Sequence, residues 1–386
     1  MTIDKESIKA EVQNLGFSLA GFTAVDPLPG FEIFENWIRA GRYAGMNYLA
    51  RADTIAKRSN PRKLMPEARS VIVLAAAYPT SQNSKHNTPG IAAYAQLGQD
   101  YHQVFRDACS KAIDVIRHVV PAAGKEPATF KTFSDTAPIL EKEMAVRAGL
   151  GWIGKNGCLI NPHYGSWLLL AEIFTSLEIE PDEPFQRQHC GNCQRCLEAC
   201  PTSCILPDRT LDAARCISYL TIEHRTDIPE ALHSPIGQQV YGCDICQQVC
   251  PWNRKAQEDP GSLFSRLPQC TTPLTLAEAL EIDEKAFQDM FRDSPIMRAG
   301  WEGWLRNCLV AAGNSKEKTL LPIIVSILAG HPSPMVRRHA AWAVSHLDPA
   351  SNRSMLHDIM QTEKDESVQQ IINTIMEISG LNRKAK

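Results

Sequence analysis

The run Cys190-Gly-Asn-Cys193-Gln-Arg-Cys196-Leu-Glu-Ala-Cys200-Pro201 places four thiols within eleven residues. Its spacing, C-x2-C-x2-C-x3-C-P, is the ligand pattern of bacterial two-cluster ferredoxins, in which three close thiolates hold one cubane and the fourth reaches the other. Zinc sites use C-x2-C pairs well separated in sequence, whereas three cysteines at successive two-residue gaps suit the corners of a single [4Fe-4S] cubane. A second run, Cys243-Asp-Ile-Cys246-Gln-Gln-Val-Cys250-Pro251, repeats the template with Val240 where its first cysteine would stand. Crossing the fourth cysteines assigns Cys190, Cys193, Cys196 and Cys250 to one cluster. Cys200, Cys243 and Cys246 then belong to the other, which needs one more ligand, and spacing leaves Cys204 and Cys216 both open. Cys109, Cys158, Cys270 and Cys308 are expected to be ordinary buried residues.

The chain holds thirteen cysteines, nine of them from 190 to 250. In a reducing compartment such a concentration asks for metal rather than disulfides. No C-x3-C-x2-C string occurs, so radical chemistry with S-adenosylmethionine is not indicated and the clusters read as an electron relay. What they feed is less legible. Gly149-Leu-Gly151-Trp-Ile-Gly154 spells G-x-G-x-x-G, but a dinucleotide fingerprint follows a strand and opens a helix. Here Ile139 to Ala148 reads as a helix and the glycines as its stop. Asp100-Tyr101-His102 begins like the cobalamin motif D-x-H-x-x-G, with Phe105 in place of its glycine.

The elements that must hold these residues fall into three segments. Residues 1–184 mix strand and helix: Ser70 to Tyr78 and Trp167 to Phe174 read as buried strands, and Asp107 to Val120 as an amphipathic helix, which predicts an α/β layer. The polar stretch Pro181-Asp-Glu-Pro184 marks a boundary, and residues 185–262 carry the cysteines in a ferredoxin-like domain. After Pro260-Gly261, residues 263–386 repeat themselves. Arg306, Arg338 and Gln370 open similar octets 32 residues apart, and Trp304, Val336 and Val368 keep the same spacing, which predicts stacked helix pairs of a short HEAT-like kind. The expected whole is an α+β multidomain protein of 386 residues.

The segments Arg58 to Pro66, Tyr94 to His102, Ser134 to Pro138, Gly151 to Asn156, Tyr164 to Trp167, both cysteine runs and Cys216 to Glu223 together resemble the epoxyqueuosine reductase family. The resemblance covers most of residues 1–255 and implies a cobalamin-dependent enzyme with two [4Fe-4S] clusters. It implies removal of the epoxide oxygen of epoxyqueuosine at the wobble base of tRNA, with electrons from an external low-potential donor. It further implies Cys216 as the missing ligand and a cobalamin-binding character for residues 1–184. Asp135 is then the candidate acid at the leaving oxygen. It follows the alternating stretch Thr129 to Phe133 and precedes a helix, so its plain alternative is an N-cap. The matched positions Arg58, Tyr101, His102, Lys155, Asn156, Ser166 and Ser218 are candidates for corrin contacts, with Asp135 among them.

The formal charge of −3 decides nothing about nucleic acid, but Arg51, Lys57, Arg58, Arg62, Lys63 and Arg69 face only Asp53 and Glu67 in nineteen residues. Arg62 and Lys63, with His224 and Arg225, are candidates to hold RNA phosphates, and Arg337, Arg338, Arg383, Lys384 and Lys386 extend the basic set into the repeats. The first twenty residues are charged and hold no apolar run, which predicts a cytoplasmic protein with no membrane partner. The competing readings are a plain electron-transfer module and a corrinoid reductive dehalogenase.

Overall fold

Ser70–Ala77 is buried at every position, as a strand must be when it has neighbours on both edges and cover on both faces. The computed structural model describes residues 3–80, 88–120, 127–267, 274–348 and 353–378. Cys270, Arg383, Lys384 and Lys386 lie outside these. The described residues form two compact units, one from residues 1–81, 96–214 and 244–269, the other from 82–95, 215–243 and 270–386.

The first unit is built on a four-stranded sheet of β1 (Leu19–Ala24), β2 (Ser70–Ala77), β3 (Phe130–Phe133) and β4 (Leu168–Thr175), in the order β1-β2-β4-β3. Every neighbouring pair is antiparallel. The predicted strands therefore appear within a residue or so of their expected limits, and a helix packs on their sheet as the expected α/β layer requires. Strand periodicity specifies which residues are buried and leaves direction to long-range pairing.

Side chains of one parity, Val71, Val73 and Ala75 on β2 with Leu168, Leu170 and Phe174 on β4, pack under α3 (Glu141–Arg147) through Met144, Ala145 and Ala148. Helices α1 (Lys5–Asn14) and α2 (Tyr101–Val119) pack on each other. Helix α2 begins earlier than its amphipathic stretch suggests because Asp100 caps it, accepting the His102 backbone N–H at 3.0 Å. Phe105 is the reason the motif glycine is absent: it fills core space, stacked on Phe17 at 6.1 Å and edge-on to Phe264 at 5.2 Å. The glycines after α3 serve backbone contact. A Cβ on Gly151 would lie 2.2 Å from the Ile160 carbonyl oxygen, across the pairing of Trp152–Ile153 with Leu159–Ile160. Gly21 on β1 is as constrained, with its Cβ position 2.1 Å from the Ala148 carbonyl oxygen. Gly21→Ala is expected to cost about 1–3 kcal/mol in reversible thermal or denaturant unfolding, and parental stability would show that this approach is not maintained.

In the second unit, α4 (Ile217–Ile222) precedes a strand, Gln239–Tyr241, that pairs in parallel with Gly90–Ile91. Five longer helices follow: α5 (Trp301–Ser315), α6 (Leu321–Gly330), α7 (Pro334–Leu347), α8 (Arg353–Thr362) and α9 (Glu366–Ile378). Trp304, Val336 and Val368 are each 0 % exposed, on α5, α7 and α9, so the 32-residue spacing returns equivalent inward positions of alternate helices. Among the described residues no helix is long and apolar enough to cross a membrane.

Candidate active site and cluster thiols

Two short helices present the cysteine runs alike. Cys196 is the second residue of the helix Arg195–Ala199 and Cys200 follows its end; Cys246 is second in Ile245–Gln248 and Cys250 follows. These helices pack on each other. Cys190, Cys193, Cys196 and Cys250 all line one cavity of about 210 Å³, whose apolar walls include Ile160, Pro251 and Trp252. Behind it Trp152, 1 % exposed, meets Trp252 edge-on at 5.0 Å and stacks on Phe185 at 5.6 Å. Four soft thiols around one cavity fit an iron–sulfur cubane.

Lys155 donates from Nζ to the carbonyl oxygens of Gly191 (2.8 Å) and Cys193 (2.9 Å), and Asn156 lines the same cavity. Both belong by contact to the first thiol set. Cys200 Sγ lies 3.5 Å from Cys204 Sγ, and Cys204 is 4 % exposed. Cys216 is the N-cap residue of α4, and Cys216, Cys243 and Cys246 are half-buried. Cys109 and Cys308 are buried as expected; Cys158 is only half-buried.

A second site forms where β3 runs into α3. Asp135 lies two residues beyond β3, at φ 56°, with its side chain 59 % exposed. The N-cap of α3 is Leu140, so Asp135 is not the helix cap that its position before the helix suggested. A non-glycine residue held in the left-handed region costs of order 1 kcal/mol, a strain that recurs at functional loops. The backbone N–H of Asp135 donates to Glu141 Oε1, and its carboxylate accepts from the Tyr101 hydroxyl and faces His102 Nε2 at 3.3 Å.

His102 is the charged centre of this group. Its Nδ1 lies 2.7 Å from Asp100 Oδ1 and its ring stacks on Tyr101 at 4.0 Å. Burial opposes the charge, yet Asp100 and Asp135 outweigh it and push the imidazole up to about 9. Near neutral pH both ring nitrogens therefore donate. Because this pKa is raised on folding, the associated stabilisation is full below about pH 6.5 and disappears as pH rises through about 9. Imidazole NMR is expected to place the His102 titration near 9 in the parent and closer to 6.5 in Asp100→Asn; an unchanged midpoint would remove Asp100 as a cause.

Two acids here escaped the sequence reading. Glu141 is pushed up to about 7 by burial and by the neighbouring Asp135 charge. Glu172, 0 % exposed at the centre of β4, pairs in register with Val73 and Phe133, and neither carboxyl oxygen has a hydrogen-bond partner among the described residues. Burial first, then the charges of Glu141 and Asp135, raise its pKa well above the ordinary carboxyl range, so it is held as a neutral acid. Its signal was a lone carboxylate inside the apolar run Leu168 to Thr175.

Arg58 stacks over Phe34 at 5.1 Å, and its Nη1, like Asn156 Nδ2, is buried with no partner among the described residues. Ser166 is engaged with Gln247 and Asn253 at 2.9 Å each. Ser218 lies in α4 of the other unit. Of the basic candidates, Lys63 is exposed, while Arg62 reaches the Ala68 carbonyl and Asp26. His224 is bound through both ring nitrogens, to Tyr219 and the Asp227 carbonyl, and Arg225 donates to Ala299 O. Arg337 forms a largely buried pair with Glu363 at 2.7 Å, and Arg338 pairs with Asp227 at 2.6 Å.

Paired ferredoxin-like cysteine runs in one chain with a strained acid loop on an antiparallel sheet point to the class of iron–sulfur oxidoreductases. Residues 189–253 match the 4Fe-4S double cluster binding domain, and residues 58–136 match the family described as epoxyqueuosine reductase QueG, DUF1730. An epoxyqueuosine reductase of Pseudomonas aeruginosa is 38% identical over 347 residues, 88% of this chain and 93% of the relative. A crystal structure of epoxyqueuosine reductase with an epoxyqueuosine-modified tRNA-Tyr stem loop superimposes with a TM-score of 0.84 at 30% identity, covering 97% of this chain and 98% of that one. A Bacillus subtilis epoxyqueuosine reductase structure, described with its aspartate catalytic loop swung out of the active site, gives 0.84 at 29% identity, again over 97% of this chain and 98% of that one. The chain belongs to the epoxyqueuosine reductase family.

Proposed function

We propose that the protein reduces epoxyqueuosine to queuosine in tRNA, with Asp135 delivering a proton to the departing epoxide oxygen. The observation that carries this reading is the Asp135–His102–Asp100 group, a strained acid loop backed by a charged imidazole, in a chain whose relatives are epoxyqueuosine reductases. Opening the epoxide to an alkene consumes two electrons and two protons and releases water. Cobalamin, when bound, supplies the low-potential reductant, replenished one electron at a time through two [4Fe-4S] clusters from an external donor. The unpartnered buried donors on Arg58 and Asn156 and the polar groups of Tyr101, His102 and Asp135 suit the amide-rich edge of such a macrocycle, with Ser166 and Ser218 as further contacts. Residues 1–184 form the cobalamin-binding domain, residues 185–262 the cluster domain, and residues 263–386 HEAT-like repeats. Cys190, Cys193, Cys196 and Cys250 hold one cluster, and Cys200, Cys216, Cys243 and Cys246 the other.

The proton path follows from the charges. With an imidazole pKa of about 9, the mobile proton rests on His102 at neutral pH. Asp135, 3.3 Å away, passes it to the oxygen as the carbon–oxygen bond breaks, so no alkoxide has to leave unassisted. Glu172, raised well above the ordinary carboxyl range, and Glu141, raised to about 7, place less negative charge beside Asp135 than ordinary carboxylates would. Lys63 and Arg62, with Arg225 and His224, are the proposed RNA-phosphate contacts, and the protein acts in the cytoplasm. The test is anaerobic holoenzyme, chemically reduced, mixed with an epoxyqueuosine-bearing stem loop. The expected product has lost one oxygen by mass spectrometry, at a single-turnover rate that declines as pH rises through about 9. No conversion by fully reduced, corrin-loaded protein would overturn the proposal.

A further inference from the structure

We infer that Arg306 and Asn307 on α5 are positioning residues for the second cluster, holding the backbone beside two of its ligands, Cys216 and Cys243. The inference rests on the cluster assignment proposed above. Arg306 and Asn307 are each 1 % exposed, on a helix whose neighbouring positions are apolar core. All five guanidinium N–H groups find acceptors. Nε donates to Asn307 Oδ1 at 3.1 Å, Nη2 to the same oxygen at 2.8 Å and to Leu220 O at 2.7 Å. Nη1 donates to His224 O at 2.9 Å and Thr226 O at 2.7 Å. Asn307 then sends its two amide hydrogens to Thr221 O and Val240 O, both at 2.8 Å.

The destinations of these bonds are what give the pair a role beyond packing. Leu220 and Thr221 lie in the short helix that Cys216 caps, and the Cys216 carbonyl accepts from Leu220 N at 2.9 Å. Val240 lies three residues before Cys243, and the Thr221 hydroxyl accepts the Gly242 N–H at 2.9 Å. One buried side-chain pair thus ties the helix after Cys216 to the strand before Cys243. A six-residue helix does not hold itself in water. A buried guanidinium with no carboxylate in hydrogen-bond contact is costly, and burial draws its pKa down to about 10. Only arginine offers five donors in a rigid fork, so lysine keeps the charge and loses the geometry. Val240, where the second run lacks its cysteine, is itself 0 % exposed with its backbone carbonyl bound to Asn307.

Asn314, two turns further along α5, provides a matched comparison. It too sends both amide hydrogens to carbonyl oxygens, of His233 and Gly237 at 2.8 Å each, but these flank no cysteine. Anaerobically reconstituted parent protein is expected to hold about eight iron atoms per chain, as two cubanes require. Asn307→Ala and Arg306→Lys are expected to lose about half of that iron and one of the two cluster signals in the EPR spectrum of reduced protein, while the other signal remains. Asn314→Ala is expected to retain the full iron content with a comparable loss of thermal stability. Full iron and both signals in Asn307→Ala or, should that variant fail to fold, in Arg306→Lys would overturn the inference. Equal iron loss in Asn314→Ala would also overturn it, since the effect would then be general destabilisation. A parent chain with only about four irons would instead reject the two-cluster reading itself.

Discussion

Replacing Asp135 with asparagine is expected to slow single-turnover deoxygenation by about 10²–10⁴, or roughly 3–5 kcal/mol of barrier. Asparagine keeps the shape of the side chain and an oxygen for the Tyr101 hydroxyl, but it cannot carry a proton from His102 to the substrate. Since Leu140 occupies the N-cap position of α3, loss of the carboxylate removes no helix cap, and any loss of stability should come from its contacts with His102 and Tyr101. Asparagine also tolerates the left-handed backbone seen at this position. The variant should therefore fold, keep both clusters and the corrin, and bind tRNA with parental affinity. Pre-reduced enzyme separates this effect from electron delivery, and a near-parental rate in that assay would end the general-acid role.

Cys216→Ser is expected to remove about four of about eight irons per chain and to abolish multiple turnover, whereas Cys204→Ser should leave both unchanged. Sequence spacing admitted either cysteine as the missing ligand. Cys204 is buried with its sulfur 3.5 Å from Cys200 Sγ. Cys216 instead sits half-buried at the start of a helix held by the Arg306–Asn307 pair. Iron analysis and reduced-state EPR decide it. Iron lost in Cys204→Ser and retained in Cys216→Ser would transfer the ligand role to Cys204.

How much of this was readable beforehand depended on whether the controlling interaction was local. The strands Ser70–Ala77 and Leu168–Thr175 announce themselves by apolar runs, and the thiol sets by spacing alone, since ligand geometry is encoded within a few residues. Sheet direction was not legible because an apolar strand reads the same in parallel and antiparallel pairing. Lys155 looked like a cofactor contact and proves to brace Gly191 and Cys193, a relation visible only once residues far apart in sequence come together. Arg337 and Arg338 illustrate the same limit, since a basic pair on a helix reads as an RNA surface until Glu363 and Asp227 are seen against it. Glu172 and Arg306 were hidden for a further reason: burial of a polar group follows from what surrounds it, and hydropathy patterns assign such residues to the exterior.

The interleaving of the two units sets an order on how the molecule is made. Residues 82–95 are synthesised early but belong with 215–243 and 270–386, and the first unit is not complete until 269. The strand Gly90–Ile91 must wait for Gln239–Tyr241, and the second unit cannot be complete until the residues after 270 have been made. Between the appearance of Cys200 and that of Cys250, at translation rates of about 5–20 residues per second, the first thiols spend roughly 3–10 s without their last partner. Over that interval these thiols rely on a reducing compartment to stay unoxidised. For the same reason, cutting the chain near residue 262 leaves Val240 and Tyr241, both at most 1 % exposed in the intact protein, without the helices of their own unit.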